Sequence, residues 1–188
     1  SYLTTITALN ACADFTTIDN GRVIHTWIVI DEILDYKIDV VNSLMNMYGK
    51  CGDFADVYSV FDHLHTRNVV SWNTMMAAYV DHRYDEEALE LLDEMRDADM
   101  CPNHVTLICG LKACGNGRAL KKGQALHTEI ACEGYDSAFN NIGSTLIDMY
   151  VKCGLMTEAQ DVFDNLGERD AVAWNALIVG YAEHSGGK

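Results

Sequence analysis

The sequence predicts an all-α fold, a solenoid superhelix of about five antiparallel helix hairpins, from three observations. First, the stretch from Ile38 to Asn73 returns 102 residues later in one register and without insertion. Leu44, Met47, Tyr48, Lys50, Cys51, Gly52, Phe61, Trp72 and Asn73 reappear as Leu146, Met149, Tyr150, Lys152, Cys153, Gly154, Phe163, Trp174 and Asn175, which marks a repeated structural unit. Second, apolar residues recur at helical spacing: Val41, Leu44, Met45 and Tyr48 lie at i, i+3, i+4, i+7, one face of an α-helix. Third, no stretch alternates apolar and polar residues as a half-buried strand does.

Taken in order, residues 2–37 carry two helical patterns, about Ile6 to Ala13 and about Asn20 to Ile30, the second with an apolar stripe of Val23, Ile24, Trp27 and Ile28. In residues 38–68 the first helix stops at Gly52, which supplies a left-handed C-terminal position, and Asp53 caps a second stripe of Phe54, Val57, Val60, Phe61 and Leu64. Residues 69–103 repeat the pattern with Trp72, Met75, Met76 and Tyr79, then Ala88, Leu91, Leu92 and Met95. Residues 104–139 are the counterpart of the first unit, 140–170 of the second, and 171–188 begin the third. Units of 36, 31 and 35 residues tile the 102-residue period, so 1–188 reads as a single array whose core is built by stacking neighbours.

A hydrophobic content of 49% and a single proline, Pro102, exclude a disordered or fibrous chain. No apolar run approaches the roughly 18 residues of a membrane helix, so no membrane partner is expected. A net charge of -15 argues against a partner held mainly by phosphate neutralisation, and any nucleic-acid reading has to place the acids away from the strand. Eight acidic residues fall between Asp85 and Asp99, on one second helix. The seven cysteines lack CxxC spacing, and Cys12 with Cys114 and Cys51 with Cys153 are repeat equivalents, as expected of reduced core residues. The chain opens at Ser1 without Met and stops after a first helix, which reads as a piece of something longer. An uncovered apolar face at its C-terminal end allows end-to-end dimerisation.

The face of each first helix left free by the apolar stripe is polar. Asn42, Asn46 and Lys50 are spaced i, i+4, i+8, as are Ser144, Asp148 and Lys152, and Asn73, Ala77 and Asp81. Stacked hairpins would line these stripes along one concave surface, where an amide or hydroxyl can read the Watson–Crick edge of an unstacked base.

The segments LMNMYGKCGD and LIDMYVKCGL, the VVSWN and AVAWN starts, and LKAC with LHT in the long unit resemble the pentatricopeptide repeat family. The closer likeness is to its plant-type subclass, in which long (2–37, 104–139), short (38–68, 140–170) and standard (69–103) repeats alternate. Tetratricopeptide repeats, by contrast, keep a constant length near 34. The resemblance implies a right-handed superhelix that binds single-stranded RNA one base per repeat, in a mitochondrion or chloroplast, as a specificity factor for cytidine-to-uridine editing or RNA processing. It also implies editing-complex proteins as further partners.

By that resemblance Asn42, Asn73, Ser144 and Asn175 hold the fifth position of their repeats and Asn68, Asn103 and Asp170 the last, and these residues read bases. Asn42 with Asn68 and Asn73 with Asn103 imply pyrimidines. Ser144 with Asp170 implies guanine, whose N1–H and N2–H₂ suit a carboxylate. Val70 and Val172 flank bases, and Lys50 and Lys152 touch phosphates. The long repeats place Ile6 and Ile108 fifth, with Lys37 and Phe139 last, and read no base.

His127, Thr128 and Glu129 spell half of a zinc deaminase signature, but no PCxxC accompanies them, and His127 is the repeat equivalent of His25. No catalytic residue, metal or cofactor is assigned, and any deaminase activity would lie outside this chain. The competing reading is a protein-interaction scaffold that uses the same concave surface.

Overall fold

The computed structural model describes residues 2–30, 37–133 and 140–185, and every secondary-structure element among them is helical. The chain divides into two compact units, residues 1–82 and 83–188. Unit 1 holds α1 (Tyr2–Asp14), α2 (Ile18–Ile30), α3 (Ile38–Cys51), α4 (Phe54–Asp62) and α5 (Val69–Asp81). Unit 2 holds α6 (Asp85–Asp97), α7 (His104–Asn116), α8 (Leu120–Glu133), α9 (Asn140–Lys152), α10 (Met156–Asn165) and α11 (Ala171–Ser185). The helices of the first repeat begin earlier than periodicity suggested, at Tyr2 and Ile18 rather than near Ile6 and Asn20. Their first turns are polar or half-exposed and leave little apolar signal.

Within unit 1 the first helices pack side by side, α3 between α1 and α5, while α2 lies against α1 and α3 and α4 against α3 and α5. Unit 2 repeats this arrangement with α9 between α7 and α11. The central helix therefore buries two flanks. In α3 these carry Val40, Val41, Leu44, Met45, Met47 and Tyr48, each at most 1% exposed. Burial of six such side chains, at about 25 cal/mol per Å² of apolar surface, makes α3 the anchor of its unit.

The turns are built from the residues the sequence offers. Gly52 adopts φ 76°, its N–H bonding Gly49 O at 3.0 Å while Asp53 N bonds Tyr48 O at 3.0 Å, a Schellman closure. Gly154 at φ 80° does the same through Val151 O and Tyr150 O, both at 2.9 Å. Asp53 Oδ1 accepts from Asp56 N at 3.3 Å and caps α4, as expected. Two further ties recur across the period. His25 Nδ1 bonds Tyr48 Oη at 2.9 Å, joining α2 to α3, and His127 Nδ1 bonds Tyr150 Oη at 2.8 Å, joining α8 to α9. The guanidinium of Arg67 covers the Phe61 ring at 4.4 Å and donates to Phe61 O, and Arg169 covers Phe163 at 5.0 Å and donates to Phe163 O.

Some expected core residues lie outside. Val23 and Trp27 are 58% and 68% exposed, Ile24 is half-buried and Ile28 is 1% exposed, so of the α2 stripe only Ile28 is fully buried. The helices packed against α2, α1 and α3, cover one side of it alone. Trp174 is likewise 49% exposed although its equivalent Trp72 is 2% exposed. All seven cysteines are free thiols, and burial pushes the Cys114 thiol up to about 12.

Where α3 crosses α5, a Cβ on Gly49 would lie 2.7 Å from the Cβ of Ala78; at the equivalent crossing of α9 and α11, a Cβ on Gly180 would lie 2.8 Å from Val151. The same gap is thus filled from opposite sides in the two units. Gly49→Val alone is expected to destabilise by about 1–3 kcal/mol through overpacking, and adding Ala78→Gly, which copies the unit 2 arrangement, to recover part of that loss in a urea-denaturation double-mutant cycle. Gly52→Ala forces a Cβ into the left-handed region and is expected to cost about 1–2 kcal/mol by the same measurement.

Burial lowers the pKa of His25 and of His127 below 6.5, so the unfolded chain takes up protons at these sites before the folded one does. The stability they contribute is full above pH 6.5 and is lost as pH falls below it through the lowered folded values. Urea midpoints measured between pH 8 and 5 are expected to fall below about pH 6.5, and less steeply for the His25→Gln/His127→Gln variant.

Candidate nucleic-acid interface

The strip of first-helix surface left by packing forms one groove in each unit. In unit 1 a groove of about 450 Å³ is lined from α1 by Leu3, Ile6 and Asn10, from α3 by Asp39, Asn42, Ser43 and Asn46, and from α5 by Val70. In unit 2 a groove of about 420 Å³ is lined from α7 by Lys112, from α9 by Ser144, Thr145, Asp148 and Lys152, and from α11 by Val172 and Asn175. Asn42 and Ser144, Ser43 and Thr145, Asn46 and Asp148, and Val70 and Val172 are repeat equivalents, so the two grooves are the same construction made twice.

The fifth-position residues lie deeper than a free polar face would place them. Asn42 and Asn73 are 8% exposed and Ser144 is 4% exposed; of the four only Asn175 is exposed. The reason is the side-by-side packing of the first helices, which turns the polar strip into a floor between two walls. Oδ1 of Asn42 is buried without a hydrogen-bond partner among the described residues. A buried carbonyl oxygen left in that state costs about 1–3 kcal/mol, which a donor on a ligand would relieve. Ser144 Oγ instead donates to Asp170 Oδ1 at 3.1 Å, bringing together the fifth residue of one repeat and the last.

The three last-position residues have a structural task. Asn68 Oδ1 accepts from Ser71 N at 2.9 Å and caps α5. Asn103 Oδ1 accepts from Val105 N at 3.0 Å and Thr106 N at 3.1 Å and caps α7. Asp170 Oδ1 accepts from Ala173 N at 2.7 Å and caps α11. The capping atom fixes the rotamer, so the other end of each planar group is aimed by the start of the helix. The spacing Asn68 to Ser71 and Asn103 to Thr106, with both reciprocal bonds formed, was a capping signal available in the sequence.

Val70 and Val172 are 54% and 61% exposed, apolar walls beside the polar floor. Sequence reasoning missed Leu3 and Val105, at the second position of the long repeats and 59% and 39% exposed. Aligning the long repeats with the others would have found them. Lys50 donates to Asp14 Oδ1 at 3.2 Å, and Lys152 to Asn116 Oδ1 at 3.1 Å and Asp148 Oδ2 at 2.7 Å. Both lysines remain half-exposed, and such surface pairs contribute at most about 1 kcal/mol, so an incoming anion can displace them. Of the residues assigned no base, Ile6 lines the first groove, Ile108 is half-buried, Lys37 lies over the Tyr2 ring at 5.3 Å and Phe139 is outside the described residues. On α6 every acidic residue but Asp85 is exposed, and none of them lines the unit 2 groove.

Comparison with known proteins gives the architecture a family. The PPR repeat family profile matches residues 67–116, and the PPR repeat profile matches 39–69 and 144–170; together they span more than half of the chain. A chloroplastic pentatricopeptide repeat-containing protein of Arabidopsis thaliana is 35% identical over 183 residues, covering 96% of this chain and 24% of the relative. A mitochondrial one from the same plant is 37% identical over 180 residues, covering 96% of this chain and 28% of the relative. The chain thus spans about a quarter of the length of the curated relatives it matches. Among solved structures, pentatricopeptide repeat protein PPR10 in complex with an 18-nt psaJ RNA element superposes with a TM-score of 0.75 at 17% identity, over 94% of this chain and 26% of that one. PPR10 from maize gives 0.67 at 19% identity over 95% and 26%. At such identities the likeness is one of fold, and it is the hairpin solenoid expected from the 102-residue period. With profiles over most of its hairpins and relatives aligned along nearly its whole length, the chain belongs to the PPR repeat family.

Proposed function

We propose that this chain is a sequence-reading segment of an organellar single-stranded RNA-binding protein, of the subclass in which long, short and standard repeats alternate, serving RNA editing or processing as a specificity factor. Its relatives are chloroplastic and mitochondrial by name, and the chain is assigned to the same organelles. The solved neighbour of the same fold was captured with an RNA element. The observation that carries the reading is the pair of equivalent grooves. Each has a hydrogen-bonding side chain on its floor, Asn42 or Ser144, and an exposed valine on its wall, Val70 or Val172. That combination grips a flat heterocycle by its faces and reads its edge.

In this reading Asn42 with Asn68, and Asn73 with Asn103, select pyrimidines, and Asn175 stands in the same row. Ser144 with Asp170 selects guanine through the Asp170 carboxylate, whose Oδ2 is not used in capping. Lys50 and Lys152 exchange their present partners for phosphates. Proteins of an editing complex would meet the rest of the longer polypeptide. The net charge of -15 favours the competing reading, a scaffold for a basic peptide, and the same assay separates the two.

Filter binding with short single-stranded RNAs is expected to show preference for pyrimidine, pyrimidine, any base, guanine, with the 5′ end toward the N-terminal repeats. Equal weak retention of all sequences, alongside capture of basic peptides, overturns base reading in favour of the scaffold. Asp170→Asn keeps an acceptor for Ala173 N and so the cap, but removes the charge facing guanine. It is expected to leave the melting temperature unchanged and to reduce guanine preference at that position about tenfold or more, the scale of a lost charge-assisted hydrogen bond. Asn73→Thr is expected to move preference at its position from pyrimidine toward purine in the same assay.

A further inference from the structure

The two grooves share their floors but not their charge. In unit 1 the groove carries one carboxylate, Asp39, and no cation. In unit 2 it carries Lys112 and Lys152, and Lys152 also lines an adjoining polar pocket of about 290 Å³ with Arg83 and Arg118. Four cations face two carboxylates, Asp148 and Glu183, along this continuous surface, in a chain whose net charge is -15. Two of the cations are compensated: Arg83 lies 3.3 Å from Asp85, and Lys152 lies 2.7 Å from Asp148. Lys112 and Arg118 are exposed, and among the described residues neither has an acidic partner.

Their repeat equivalents in unit 1 are the neutral Asn10 and Thr16, so the extra charge belongs to one long repeat and not to the repeat pattern. Lys112 projects from α7, and Arg118 follows its end with φ 53°. Lys112 stands within the last turns of α7 and Arg118 two residues beyond its final helical residue, so the two cations occupy different points along the surface, one beside the groove and the other beside the adjoining pocket. Lys152 closes the gap from α9, held by the side chain of Asn116. Asn116 in turn donates to Asp85 Oδ1 at 3.1 Å, which fixes the floor of the pocket.

We propose that the second long repeat is a backbone clamp: Lys112 and Arg118, with Lys152 between them, bind successive phosphodiester groups of the single-stranded RNA whose bases the neighbouring repeats read. The inference rests on the RNA-binding reading for its ligand, and it assigns a task to a repeat whose fifth residue, Ile108, offers no hydrogen bond. The clamp holds the strand without regard to sequence, as contact to phosphate alone must. It places two cations that have no acidic partner among the described residues, Lys112 in the groove and Arg118 in the adjoining pocket, where the strand has to pass between one reading repeat and the next.

The test compares the 188-residue chain with its Lys112→Gln/Arg118→Asn variant, asparagine being chosen because it tolerates positive φ. Each is titrated across salt with short RNAs and with an abasic ribose-phosphate oligomer of equal length. The clamp predicts that the parent chain retains the abasic oligomer. In the variant, affinity for every oligomer should fall about tenfold at low salt, the slope of log K on log salt should shrink by about 1.4, and base preference should be unchanged, the slope change being roughly 0.7 per single-strand phosphate contact. A slope equal to the parent's with base preference intact overturns the clamp and leaves base reading standing. Loss of slope in a chain that never showed base preference supports the clamp and overturns base reading. Failure of the parent to retain either oligomer overturns both.

Discussion

The close lateral packing of successive first helices is the constraint on which the other features depend. With a glycine on one side or the other of the α3–α5 and α9–α11 crossings, the backbones come near enough that the central helix buries both flanks. What remains of its surface is a narrow strip, lined in α3 by Asp39, Asn42, Ser43 and Asn46. Asn42 and Ser144 fall on that strip, and the second residue of the next helix, Val70 or Val172, rises beside it. The groove is a product of the packing, and its chemistry is set by whichever residues the repeat places at two positions.

Much of this was legible because the sequence states it twice. The period announced a succession of helices, and the left-handed glycines at Gly52 and Gly154 marked two turns that carry the same pair of backbone bonds. Depth was not legible. Periodicity names the face of a helix but not how closely a neighbour covers it, so Asn42 and Ser144 read as surface residues although they lie on a floor. Trp72 and Trp174 belong to one motif, yet one is buried and the other half-exposed, because burial is a property of the surroundings. The last-position residues show a different gap: a role in reading was inferred from resemblance, while the capping role, local and chemically plain, was passed over.

The acidity of the chain is distributed rather than opposed to the proposed RNA contact. The carboxylates of α6 do not line the unit 2 groove, and Asp93 is engaged in surface ion pairs with Arg96 and Lys122 of small individual value. Repulsion of a polyanion by such a chain acts over about a Debye length, roughly 8–10 Å at physiological salt, whereas contacts in the groove act at hydrogen-bond range. Long-range repulsion lowers the rate of encounter and indiscriminate adhesion; it does little to a base already in place.

The bond between Ser144 and Asp170 carries this distinction further. Folding has already frozen both side chains, one through the hydroxyl and the other through the start of α11, so a guest arriving there finds its acceptor immobile. Asn42 Oδ1 has no hydrogen-bond partner among the described residues, so no such bond orients its amide before a guest arrives. Under the proposed RNA reading, a pocket whose acceptor is already tethered releases its guest more slowly than one of equal chemical strength whose acceptor is not.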